Sequence, residues 1–159
     1  MFSYSQVEAI LARALRASPQ TKGAFRGRIK HFQRLGVVPS SPGKGKKIAY
    51  KRRDIYAWAL CLEFAEFGMD PTIVKRFFIA CWGRVQDLLL DEPGSTEYLV
   101  FYPNIMSDWL SGRGPTGRST FEIVSSLADL TGKHADRAGA INLGSVRKAV
   151  EAAIVEATA

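Results

Sequence analysis

Between Lys22 and Arg53 the chain has no aspartate or glutamate, although eleven lysines and arginines fall in that stretch. Like charges at this density repel one another, so a fold that keeps them must tolerate the cost or meet a polyanion that relieves it. The imbalance is local. Residues 1–53 carry 13 basic residues against one acid, Glu8, for +12; residues 54–159 carry 9 against 14, for −5. A solvated helical face usually intersperses both signs. The absence of acids therefore favours a nucleic-acid surface over plain exposure to solvent.

Other scarcities exclude other functions. No run of eighteen apolar residues occurs, which excludes a membrane-spanning helix. Arg13 and Arg16 interrupt the N-terminal apolar stretch, so no secretory leader is expected. The only cysteines, Cys61 and Cys81, sit inside apolar helical patterns, as reduced, buried thiols of a cytoplasmic, nucleoid-associated protein would. Histidine is equally sparse: His31 lies in the basic stretch and His134 in a polar loop, and no Cys/His set has metal-ligand spacing. No serine stands in a nucleophile elbow, and Asp129, His134 and Asp136 are neighbours only along the chain. Neither an enzyme, a cofactor nor a metal is expected. Gly112, Gly114 and Gly117 spell G-x-G-x-x-G, but a dinucleotide fold needs that signature to leave a strand and open a helix. Here it leaves a helix-like segment for a strand-like one and contains Pro115, so it reads as a turn.

What is present is a helical pattern with a core: 47% of residues are hydrophobic. Residues 3–17 place Val7, Ile10, Leu11, Ala14 and Leu15 at helical spacing, and Ser18-Pro19 stops them. Thr21 is the expected N-cap of a second helix, 22–35, closed by Gly36. Phe25, Ile29 and Phe32 form its inward stripe; Arg26, Lys30, Gln33 and Arg34 face away, with His31 at the border. Two helices joined by a short turn, the second with a cationic outer face, describe a helix-turn-helix.

The segment 40–54 mixes six cations with an apolar insert, Ile48-Ala49-Tyr50. Val37-Val38 and that insert read as short strands on either side of a Pro/Gly/Ser turn. The insert would anchor a returning strand while a tip carrying Lys44, Lys46 and Lys47 projects outward as a wing; a flexible basic linker is the rival reading. A third helix follows from Lys51, ended by Gly68, and a fourth from Pro71 with Asp70 as N-cap. Beyond Pro93-Gly94, residues 97–103 and 119–127 are β-prone, and 139–157 reads as a short strand and a terminal amphipathic helix.

In this order, the basic helix with "RLGVVP" (34–39), the basic hairpin ending at Tyr50, "RRDIYAW" (52–58) and "EFGMDPTI" (66–73) resemble the winged DNA-binding domain of the mercury-resistance (MerR) type regulators over about residues 3–80. The resemblance implies that Arg26, Lys30, His31 and Arg34 face a major groove or its flanking phosphates, with the wing lysines beside them. The long dimerising helix of that family is replaced here by a break at 91–95, and its metal-binding cysteines have no counterpart.

The expectation is thus an α+β chain: a MerR-like winged helix-turn-helix over 1–90 and a small α/β region over 91–159 for dimerisation or partner binding. Its function would be sequence-specific binding of double-stranded DNA in transcriptional control, as a homodimer on a two-fold site. Arg26 and Lys30 are the candidates for base edges, because Arg or Lys to guanine is the commonest specific contact. Arg28 and Arg34, the wing lysines and Lys51-Arg52-Arg53 would hold phosphates, with Lys22 and Tyr50 at the borders. An excisionase-like architectural factor and a basic-faced adaptor for an acidic protein are the alternatives.

Overall fold

A computed structural model describes residues 1–38, 48–91, 96–102, 121–130 and 138–158. The chain is α+β; the described residues form five α-helices and a three-stranded antiparallel sheet. In order these are α1 (Tyr4–Ala14), α2 (Lys22–Arg34), α3 (Arg52–Glu66), α4 (Pro71–Asp91), β1 (Tyr98–Phe101), β2 (Phe121–Val124), β3 (Gly139–Asn142) and α5 (Leu143–Thr158). Short 3-10 turns occupy Pro19–Thr21 and Leu127–Leu130.

Local chemistry sets the helix ends. Ser3 and Gln6 close a reciprocal capping box on α1: the Gln6 N–H donates to Ser3 Oγ at 3.3 Å and the Ser3 N–H to Gln6 Oε1 at 2.9 Å. Gly36 (φ +75°) and Gly68 (φ +73°) end α2 and α3 in the left-handed region. In each case the following N–H reaches back to a carbonyl of the last turn, Val37 to Phe32 and Met69 to Phe64. Asp70 Oδ1 accepts the Thr72 N–H at 2.7 Å and starts α4. Two expectations fail here. Helix α1 ends at Ala14, before the proline, because Arg16 (φ +50°) enters the left-handed region and Ala17 N–H bonds Ala12 O. Thr21 makes no cap either; its hydroxyl donates to Ser18 O, tightening the 3-10 turn.

The core is built around α3, whose residues from Asp54 to Leu62, and Phe64, are all buried. Trp58, Tyr56 and Phe64 are its largest members, and each such burial contributes roughly 1.5–3 kcal/mol. Helices α1, α2, α4 and α5 all pack on it. Aromatic contacts tie α3 to α4 and the sheet: Phe64 meets Phe77 edge-on at 5.1 Å and Phe101 at 5.5 Å, and Phe77 meets Phe121 at a tilt at 4.8 Å. Of the aromatic residues of α4, Phe77 is core, while Phe78 and Trp82 are half-buried.

The sheet runs β2-β1-β3, with Leu99 opposite Ile123 on one side and Ile141 on the other. Gly139 lies opposite Phe101, whose ring takes the space a Cβ would need. Helix α5 packs most extensively on α1, and one buried cluster runs from Val7, Ile10 and Leu11 to Val146, Val150 and Ile154. Residues on both sides of the boundary drawn near residue 90 belong to this one buried cluster. No helix among the described residues is long and apolar enough to cross a membrane.

The hairpin expectation changes in its pairing. Val37-Val38 is a bend, and Tyr50 pairs instead with Phe2, with N–H to O distances of 2.9 Å in both directions. The extended segment ahead of α1 supplies the partner strand. The tip with Lys44, Lys46 and Lys47, the G-x-G-x-x-G turn and His134 lie outside the described residues.

Candidate nucleic-acid interface

Helix α2 buries Ile29 and Phe32 and half-buries Phe25, as its apolar spacing requires. Trp58 of α3 donates its indole N–H to Ile29 O at 3.2 Å, a bond buried beneath the helix that fixes its seat. Gln33 donates to the Tyr50 hydroxyl at 2.9 Å, so Tyr50 rests against the C-terminal end of α2.

The outward side of α2 carries Lys22, Arg26, Lys30 and Arg34, all exposed and four residues apart, with no acid on the helix. That spacing puts them on one inclined ridge, where neighbouring like charges cost roughly 0.2–0.5 kcal/mol per pair in isolation. The fold answers part of this charge internally. Arg26 Nε donates to both Glu8 oxygens at 3.0 and 2.9 Å, and Nη2 to one of them at 2.7 Å. These bonds and the charge of Glu8 hold the guanidinium even more firmly protonated than usual. Arg28 pairs with Glu66, Arg52 with Glu151 at 3.3 Å, and Arg53 with Asp54 at 3.6 Å. Lys22, Lys30, Arg34 and Lys51 are exposed and make no ion pair among the described residues.

The remaining candidates divide. His31 is exposed, edge-on to Phe32 at 6.1 Å. Its charge adds a small push to the lowering of the Asp70 carboxyl, which the Thr72 bonds dominate. Tyr50 is 2% exposed, its ring 5.0 Å from Trp58, and burial raises its hydroxyl pKa. Tyr50, expected as a DNA contact, is instead a buried core residue bridged to Phe2, and its hydroxyl accepts from Gln33. Lys51 caps α3 through its own N–H, which donates to Asp54 Oδ2 at 2.7 Å, leaving its ammonium outside.

Sequence reasoning missed the acids that meet the arginines. Glu8 alone carried a signal, as the only acid in the first 53 residues. Glu66 and Glu151 belong to the acidic part of the chain and reach the basic face only through folding.

Among the described residues no cluster of three His, Cys, Asp or Glu side chains could hold a metal ion. Burial pushes both cysteine thiols up, Cys61 far more than Cys81, which makes them poor nucleophiles. Compared with models of known protein families and with curated proteins, the chain matches none.

Proposed function

We propose that the chain is a sequence-specific double-stranded DNA-binding protein of the winged helix-turn-helix class, acting in transcriptional control. The observation that carries the reading is the ridge Lys22–Arg26–Lys30–Arg34 on an acid-free helix whose other side is bolted to the core by Trp58 and Phe32. A cationic ridge on a rigidly seated helix is what insertion into a major groove asks for. Within the ridge, Lys30 and Arg34 are the first choices for base or phosphate contact, because Glu8 engages Arg26. Lys51 and the hairpin lysines would add phosphate contacts on the flank. One such helix reads only a few base pairs, so the reading includes a homodimer on a two-fold site.

The test is a mobility shift with labelled duplex and excess nonspecific competitor, comparing the unaltered chain with the Lys30→Glu/Arg34→Glu double variant over a salt series. The unaltered chain should retain a subset of sequences, with log affinity falling steeply against log salt, by about 0.9 per phosphate contact. The double variant should lose that binding while folding normally. Equal affinity of the two proteins for duplex would defeat the reading. Binding to acidic protein with none to DNA would favour the adaptor alternative.

A further inference from the structure

Helix α4 shows solvent a second ridge. Lys75, Ile79, Gly83 and Asp87 follow one another at four-residue steps, and all four are exposed. Ile79 is 77% exposed, the most exposed large aliphatic side chain inside any helix here. A Cβ on Gly83 would meet nothing within 4 Å, so no contact among the described residues explains a glycine that weakens the middle of a helix. Beside Gly83 runs a groove of about 270 Å³ between α4 and the sheet, lined by Ala80, Gly83, Arg84, Leu99 and Ile123. On the other flank Phe78 and Trp82 stack at 4.9 Å and remain half-exposed. Lys75 and Asp87 make no ion pair among the described residues.

Read from its N-terminal end the ridge runs cation, large apolar, vacant, anion. Reversed, it is its own complement. We infer that α4 is a homodimer surface, on which a second copy of this chain packs antiparallel about a two-fold axis near the middle of the ridge. Lys75 of each copy then meets Asp87 of the other, and Ile79 of each enters the groove beside Gly83 of the other. Every contact occurs twice, as an isologous interface requires. A parallel pair would set lysine against lysine and aspartate against aspartate, and leave Gly83 facing Gly83. The charge order thus selects both the occupant and its direction. The inference does not depend on the DNA reading, though it would supply the two-fold axis that reading needs.

Sedimentation equilibrium of the full chain without DNA tests it. The unaltered protein should be a dimer at about 0.1 mM, and Ile79→Asp and Gly83→Leu should each give a monomer with an unchanged far-UV spectrum. Lys75→Glu and Asp87→Lys should each raise the dimer Kd on the order of tenfold by setting like charges opposite at both ends, and combining them should restore it. A monomeric unaltered chain would overturn the inference, as would a dimer indifferent to Ile79→Asp and Gly83→Leu, or a double charge swap no tighter than the single ones. A stable dimer that binds no duplex would leave this surface standing and remove the DNA reading alone.

Discussion

Arg26 of α2 grips Glu8 of α1 with three hydrogen bonds between 2.7 and 3.0 Å, and the glutamate side chain is only 11% exposed. The residue that sequence alone would send first to a base edge is thus also the clamp between two helices. Removing Arg26 would leave the buried Glu8 carboxylate desolvated and alone. The fold must keep this contact or bring another cation to Glu8.

That dual use separates the ridge residues experimentally. Arg26→Ala should lower the melting temperature and weaken duplex binding together. Lys30→Ala and Arg34→Ala should leave unfolding within about 0.5 kcal/mol of the unaltered chain, as exposed, unpaired positions do. Each should still reduce the salt slope of binding by about 1 if it meets a phosphate. Thermal melts run beside a salt series check all three.

Trp58 is fully buried, bonds Ile29 O, and stacks beside Tyr50 at 5.0 Å. Trp58→Phe keeps an aromatic ring but removes the donor and leaves a gap under α2. A loss of roughly 1–3 kcal/mol is expected, seen as a lower urea midpoint with an unchanged slope. A shift confined to a few tenths would mean that the indole bond does not hold α2 in place.

Arg16 occupies the position after α1 that Gly36 and Gly68 occupy after α2 and α3, at φ +50° and with a Cβ. Non-glycine residues there are strained by about 1 kcal/mol or more. Arg16→Gly should therefore raise stability by about 1 kcal/mol, whereas Arg16→Ala, which keeps the Cβ, should not. Urea titrations of the two variants decide it.

Glu63 lies half-buried on α3, and burial first, then the neighbouring charge of Glu66, raises its carboxyl pKa. A raised acid pKa means that the native state resists ionisation more than the unfolded chain does. Its destabilising effect is absent below the ordinary carboxylate range and complete above the raised value. Glu63→Gln should melt higher than the unaltered chain at pH 7, with the difference shrinking toward zero as pH falls below the carboxylate range. Water still reaches the group, so the gain should be modest. Melts at a series of pH values test the sign.

How much was legible can be judged residue by residue. The inward stripe Phe25, Ile29, Phe32 is read from spacing alone, because a helix repeats its faces whatever it packs against. Gly36 and Gly68 were readable as helix ends, because the left-handed turn is local and glycine meets it without strain. Arg16 was not, since it makes the same turn with a residue that gives no such signal. Thr21 had the chemistry of a cap, but the Ser18 carbonyl drew its hydroxyl away. Tyr50 illustrates the hardest case. Its place in an apolar insert was plain, but whether its hydroxyl faced a ligand or Gln33 depended on where α2 came to lie.

By itself the sequence determined the segregation of charge, the inward faces of the helices and the α+β class, because each follows from neighbours along the chain. Tertiary structure alone decided that Phe2 pairs with Tyr50, that α5 lies on α1, and that Glu8, Glu66 and Glu151 neutralise three arginines of the basic face. Those contacts join positions between 18 and 143 residues apart (Glu8 to Arg26 and Phe2 to Tyr50 among the nearer, Arg13 of α1 to Glu156 of α5 the farthest). Periodicity and capping act over a few residues only, so no local pattern encodes them. They arise when apolar faces collapse onto α3 and carry distant charges to within reach of one another.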